Sequence, residues 1–497
     1  MQHPSHGACC GCALGRREFL ATTSVAAVGA TLVGARPAFS RSEWDEYIDI
    51  GRFRPRPRVR ALSAIVRMPP PYWLGWPGTS YDVSGAEREY GETFAAAARR
   101  VGVELAPFGS ALENEEAVGR FVRQVQDEKP DAVLVMIQHI YVWRWVRQIA
   151  EAGVPTLVFS PVGMAFTGQV KDLSRRPGVH VISSLDTGAV EQGLRMVRAK
   201  KQLEATRLLV VAGKERKEEK WEGIGTTLQY IPRNELHELF AQAPVTDEMK
   251  EIASHMRRRA KKVVEPSRDD LLNAARSYVT AKRLLAREQC HALTTDCLGM
   301  VSTKVVPTPP CMAASIFQDH GVTYGCEADR NAALSLLLVS YLFDKPGFMN
   351  DPVPETVKNL LIAAHCTCGT RLNGFDVKQE PYILRSHSES DIGVSMQVLW
   401  KEGQKVTLAL FDGPEKLIID TGTVVGNVAT PPAGGCRTSF EIAMDRIEDC
   451  RDVLGFHQVV FYGDHRRDLL SSARCSGITP VHSPDTRRAE SRGGLRR

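Results

Sequence analysis

Two acids and two histidines in the second half of the chain carry the types and spacing that divalent-cation chemistry needs. The stretch Gly325-Cys326-Glu327-Ala328-Asp329-Arg330-Asn331 sets two carboxylates at the mouth of a strongly apolar run, NAALSLLLVSYLF. Asp329 suits the N-cap of a helix there, because free backbone N–H groups and the helix dipole favour an acid. Glu327 stands just outside that cap. Asp351 follows 24 positions after Glu327, directly before Pro352, a common place for a turn aspartate. An apolar helix between the two acids returns the chain across a domain and lets them converge. His365 closes the run LIAAH, the usual setting of a hydrogen-bonded core histidine, and His457 opens the β-like run FHQVVFYG. Glu327, Asp351 and His457 together form a mixed oxygen and nitrogen donor set, suited to Mn²⁺, Mg²⁺ or Co²⁺. So few protein donors leave coordination places for two substrate oxygens.

The elements that must position these residues follow from hydrophobic periodicity. From 58 to 175 short apolar runs (VRALSAIVRM, VELAPF, DAVLVMIQ, VPTLVFSP) alternate with helical patterns such as GAEREYGETFAAAARRVG. That rhythm predicts an α/β domain around a parallel sheet covered on both faces. A second α/β unit is expected over 176–355. It has strands VHVISS, RLLVVAG and HALTTDCLGM, a long polar helix from Asp247 to about Arg287, and both acids. From 356 to 482 the runs VSMQVLW, KVTLALF, KLIIDTGTVVG and FHQVVFYG are β-like with Gly-rich turns. The fold class is therefore α/β: two Rossmann-like α/β domains followed by a β-rich, barrel-like C-terminal domain. The Arg-rich residues 483–497 read as a disordered tail.

Composition narrows the function classes. A net charge of +5 over 497 residues gives no concentrated basic face, so no nucleic-acid partner is expected. Arg16 and Arg17 precede a weakly apolar run from Ala21 to Val33, and Ala38 and Ser40 offer small residues for cleavage. Residues 1–40 thus read as a twin-arginine signal peptide, too short in its apolar part for a permanent membrane span. The expected route is the twin-arginine export machinery, with a periplasmic or extracellular destination. Of the 12 cysteines, Cys9, Cys10 and Cys12 belong to that segment. Cys366 and Cys368 do not make a CxxC zinc spacing, so mostly free, buried thiols are expected.

The segments TTDCLGM, PPCMAAS, GVTYGCEADRNAALSLLLVSYL, MNDPV, AAHC and FHQVVFYGD resemble, in that order, the L-fucose/L-arabinose isomerase superfamily. The resemblance implies that Glu327, Asp351 and His457 hold one divalent metal, Mn²⁺ foremost. It implies that Glu327 and Asp351 also move protons between C1 and C2 of a free pentose or deoxyhexose through an enediol. It places His365 at a further ligand or substrate position, and His139 at that of a histidine reaching a neighbouring subunit's site. It also implies a homo-oligomer, a trimer or hexamer. The competing expectations are an exported sugar-binding protein, a glycoside hydrolase with paired carboxylates, and an inactive relative that keeps only the isomerase fold.

Overall fold

The computed structural model describes residues 39–303, 306–429 and 435–483. Residues 1–38 of the expected signal, with Arg16 and Arg17, and the expected tail beyond Ser483 lie outside the described residues. Ser40 caps the helix Arg41–Asp45, and Ser483 is buried with its N–H on Asp420, so neither of these two residues belongs to a disordered end.

The first sheet is built from β1 (Arg60–Val66), β2 (Glu104–Pro107), β3 (Ala132–Ile137), β4 (Thr156–Pro161) and β5 (Val179–Ser184). Its order is β2-β1-β3-β4-β5, and every pairing is parallel. The central strands AVLVMI and TLVFSP are buried along their whole length, as helices on both faces require. One expectation is corrected here. VHVISS, assigned by sequence to the second unit, is the edge strand of the first, with Thr156 opposite Val179. The crossover that a parallel pair needs is the short helix Thr167–Leu173, whose polar sequence hides it.

The second sheet uses β6 (Arg207–Val211), β7 (Lys217–Trp221) and β8 (Thr226–Ile231). The chain then passes through β9 (Lys262–Val263) to β10 (Ala292–Thr295) and β11 (Tyr324–Gly325). The order is β11-β10-β6-β8-β7, parallel except for β7, which folds back on β8 as a hairpin. The long polar helix is two helices, Asp247–Arg259 and Arg268–Glu288. β9 separates them, pairing with the strand Tyr382–Arg385, and Ser267, after Pro266, caps the second through a reciprocal hydrogen bond with Asp270.

The C-terminal region is a closed barrel. Its strands are β12 (Phe348–Glu355) and β13 (Leu360–His365), then β16 (Lys405–Phe411), β17 (Lys416–Asn427), β18 (Thr438–Met444) and β19 (Gln458–Tyr462). They run β16-β19-β12-β13-β18-β17, and β17 pairs back to β16, so the barrel has no open edge. β20 (Thr479–Val481) adds outside, on β17. β14 (Tyr382–Arg385) and β15 (Ser395–Val398) form a separate small sheet with β9. The barrel begins at Phe348, ahead of residue 356, so Asp351 stands on its first strand and not in the second α/β unit. The prolines of NDPVPE disguise that strand as a turn.

Helix Arg330–Phe343 joins the second sheet to the barrel. It is buried almost all round, and one apolar cluster holds Leu208 and Leu228 of the sheet, Leu334 and Leu337 of the helix, and Val459 and Phe461 of the barrel. A helix buried on every side needs a continuous apolar sequence, which is what NAALSLLLVSYLF supplies. No helix among the described residues is long and apolar enough to cross a membrane.

Candidate metal centre

The centre forms where β11, the helix Arg330–Phe343 and the barrel meet. After β11 the chain turns through Glu327 and Ala328, both left-handed at φ +56° and +54°. The Ala328 N–H donates to the Thr295 carbonyl at 2.9 Å, tying the turn to the end of β10. Asp329 then caps the helix by accepting from the Ala332 N–H at 3.0 Å. His457, at the entrance to β19, is also left-handed at φ +58°. Left-handed backbone at a residue with a side chain costs on the order of 1–2 kcal/mol, and such strain gathers at functional sites. Ala328→Gly is therefore expected to leave unfolding free energy unchanged or raise it by up to about 1 kcal/mol. A loss above that size in urea titration would show that the Ala328 methyl has a packing role instead.

Four of the sequence-selected side chains converge. The His457 Nε2 lies 3.3 Å from Glu327 Oε2 and 3.2 Å from Asp351 Oδ1. The His365 Nε2 lies 3.6 Å from Glu327 Oε1. The donor atoms of Asp351, His365 and His457 all fall within 4.8 Å of one another. His365 therefore belongs to the centre itself, although its sequence setting reads as core. His139 stands apart in the first unit, beyond the end of β3. It is buried against Tyr72, and its Nδ1 accepts from the Tyr141 N–H at 3.2 Å. Burial lowers its pKa.

Asp329 has a second task that sequence reading missed. Its Oδ2 lies 2.9 Å from the His457 Nδ1, so a carboxylate fixes the tautomer and presents Nε2 to the two other acids. The Thr367 hydroxyl lies 3.4 Å from the His365 Nδ1. Carboxylate-oriented imidazoles are the usual outer layer of a metal site. The only sequence signal was the pairing of two acids one residue apart at a single helix mouth, which the capping role of Asp329 absorbed.

The residues fit a divalent cation. The Asp351 Oδ1, His365 Nε2 and His457 Nε2 are buried, and their close polar neighbours are one another and Glu327, at 3.2–3.6 Å. Packing two acids and two imidazoles together out of water costs free energy, and a cation held between them would offset that cost. The cavity here is small, about 30 Å³, enough for an ion and too small for a sugar. The way in is past Glu327 and Asp351, whose side chains are 26% and 30% exposed. Phe456, its ring 4.0 Å from that of His457, is 62% exposed beside them. The larger hollows of about 830 and 360 Å³ hold none of the four residues.

Charge is concentrated accordingly. Hydrogen bonds from His365 and then His457 hold the Glu327 carboxyl down at about 2, against the cost of burial. Burial opposes a charge on His457, but Asp329, Asp351 and Glu327 overcome it and push its pKa up to about 11. Burial likewise opposes charge on His365, and Glu327 outweighs it, raising its pKa. The stability consequences have opposite signs. The depressed Glu327 contributes above its unfolded value of 4.5 and loses the contribution as pH falls towards about 2. The raised His457 contributes fully below 6.5 and loses its share as pH rises through about 11. In EDTA, urea midpoints are expected to fall between pH 4.5 and 2, and Glu327→Gln to flatten that slope. An unchanged slope in the variant would contradict the ionised Glu327.

Neither a family model nor a curated protein matches the chain. Among solved structures it has distant likeness to a carbohydrate transporter from Acidothermus cellulolyticus 11B in complex with myo-inositol. Identity there is 10%, 58% of this chain and 88% of that one are covered, and the TM-score is 0.18. A sugar ABC transporter from Yersinia enterocolitica subsp. enterocolitica 8081 gives 12%, 60%, 82% and 0.18 in the same order. An arabinose binding protein from Geobacillus stearothermophilus gives 9%, 55%, 95% and 0.17. Overlaps this slight carry no argument about fold or ligand. The reading of the centre rests on its own geometry.

Proposed function

We propose that the protein is a metal-dependent aldose–ketose isomerase acting on a free pentose or deoxyhexose, with Mn²⁺ as the cation. The observation that carries this reading is the meeting of Glu327, Asp351 and His457, drawn from three separate stretches, with both carboxylates 3.2–3.3 Å from one imidazole nitrogen. A bound divalent cation would supply Lewis acidity, acidifying the C–H bond and offsetting the negative charge of the enediolate. The chain's own groups do the rest. The carboxylates of Glu327 and Asp351 both lie within 3.3 Å of one imidazole nitrogen, so they approach a small substrate from adjacent positions. One takes the proton from C2 and returns it to C1, and the other moves the hydroxyl proton. His457 and His365 hold position and Asp329 orients His457. Because the cavity itself is ion-sized, the sugar docks over the open side, against the exposed Phe456. A neighbouring subunit that completes this side is part of the same proposal, as the oligomer implied by the resemblance would provide.

The test is a screen of free pentoses and deoxyhexoses with Mn²⁺, read as ketose formation. Conversion of at least one sugar is expected, with activity lost in EDTA and restored by Mn²⁺. Conversion that persists undiminished after exhaustive chelation would remove the reading.

A further inference from the structure

Sulfur crowds the opposite wall of the same small cavity. Cys311, Cys366, Cys436 and His387 line it together with the first centre's acids. Each arrives from a different element. Cys311 opens the helix Cys311–Asp319, Cys366 follows β13 directly, His387 lies two residues past β14, and Cys436 lies just ahead of β18. All four are buried. The donor atoms of Cys311, Cys366 and His387 lie within 4.8 Å of one another. The Cys366 thiol is also within hydrogen-bonding reach of Cys436. None of the three cysteines is in a disulfide.

A buried cysteine alone behaves as a small apolar side chain. Three of them turned onto one another and onto an imidazole do not fit that role, because Ala364 and Ile362 already supply the apolar packing around them. The imidazole is oriented as a ligand would be. Its Nδ1 is engaged by the Ser390 hydroxyl at 2.9 Å, which leaves Nε2 for the thiols' side. Three thiols and one imidazole are the donor set of a closed, tetrahedral structural zinc site. Softness separates it from the oxygen-rich neighbour, since thiolates select Zn²⁺ over Mn²⁺ or Mg²⁺.

We propose that Cys311, Cys366, Cys436 and His387 form a second metal site, which binds Zn²⁺ beside the Glu327–Asp351–His457 centre. Binding converts three thiols to thiolates and releases three protons to solvent, while His387 binds neutral. The consequence reaches the first centre through the chain. Cys366 follows His365 without a gap, so fixing its sulfur fixes the end of β13 that delivers His365.

The experiment is metal analysis of the full protein, expressed with zinc and purified without chelator. About one zinc per chain is expected to survive mild EDTA dialysis, and an organomercurial that caps thiols is expected to release it. Zinc X-ray absorption is expected to show sulfur neighbours at about 2.3 Å. Cys366→Ser should lower retained zinc at least about fivefold, and Cys450→Ser, a buried cysteine outside the cluster, should not. The absorption measurement needs no variant, so it stands even if Cys366→Ser fails to fold. Three results would overturn the proposal: wild-type protein without zinc, zinc with only oxygen and nitrogen neighbours, or peptide mapping that finds a disulfide among Cys311, Cys366 and Cys436.

Discussion

Glu327→Gln is expected to lower turnover by about a thousandfold or more while the fold persists. Glutamine keeps the shape and removes the charge. The loss combines two effects. A carboxylate that transfers a proton in the rate-limiting step contributes about 10²–10⁴-fold, and the amide is also a weaker partner for a cation. The backbone has no reason to fail, because the left-handed turn at Glu327 and Ala328 is held by the Ala328-to-Thr295 hydrogen bond and not by the carboxylate. Circular dichroism should match the wild type, and ketose production from whichever sugar the wild type converts should vanish. Near-normal production by the variant would remove Glu327 from the chemistry.

The largest stability effect is expected away from the acids, at Asp319. This carboxylate is buried at the end of the helix Cys311–Asp319. It accepts from the Thr370 N–H and hydroxyl, both at 2.6 Å, and from the Arg371 N–H at 2.8 Å. Asp319→Ala strands two buried donors of Thr370 and the half-buried Arg371 N–H, each buried donor worth roughly 1–3 kcal/mol when left unpaired. A loss of about 3 kcal/mol or more in urea unfolding follows. Asp319→Asn keeps one acceptor oxygen and should lose less. The loop so anchored leads away from His365 and Cys366, so the alanine variant should also bind Mn²⁺ more weakly. A destabilisation below about 1 kcal/mol would show that the loop is held by other contacts.

How far the sequence announces this arrangement depends on the range of the signal. Local patterns survive folding well. Asp329 caps the helix that its position predicts, the apolar run is a buried helix, and three of the C-terminal β runs are strands of a closed barrel, VSMQVLW instead joining the small sheet with β14. Signals set by partners distant in the chain do not. Pro352 and Pro354 disguise a barrel strand as a turn, so Asp351 reads as a loop residue although β13 pairs with it. His365 has the sequence of a core histidine, and only the approach of Glu327 makes it part of the centre. The tie from Asp329 to His457 spans 128 positions, and no local spacing reports it. The thiol cluster is quieter still, because its four members come from four elements and no CxxC pair marks them. The short helix before Val179 was missed for the opposite reason: its polar residues carry too weak a period to compete with the strands beside it.

Whether Glu327, Asp351 and His457 share one divalent cation decides the proposed chemistry. Anomalous diffraction from crystals soaked in MnCl₂ tests it most directly. The expected result is a manganese peak at about 2.0–2.3 Å from a Glu327 oxygen, the Asp351 Oδ1 and the His457 Nε2, the bond lengths of first-row divalent ions. Fully soaked crystals with manganese bound elsewhere and nothing between these three side chains would contradict it.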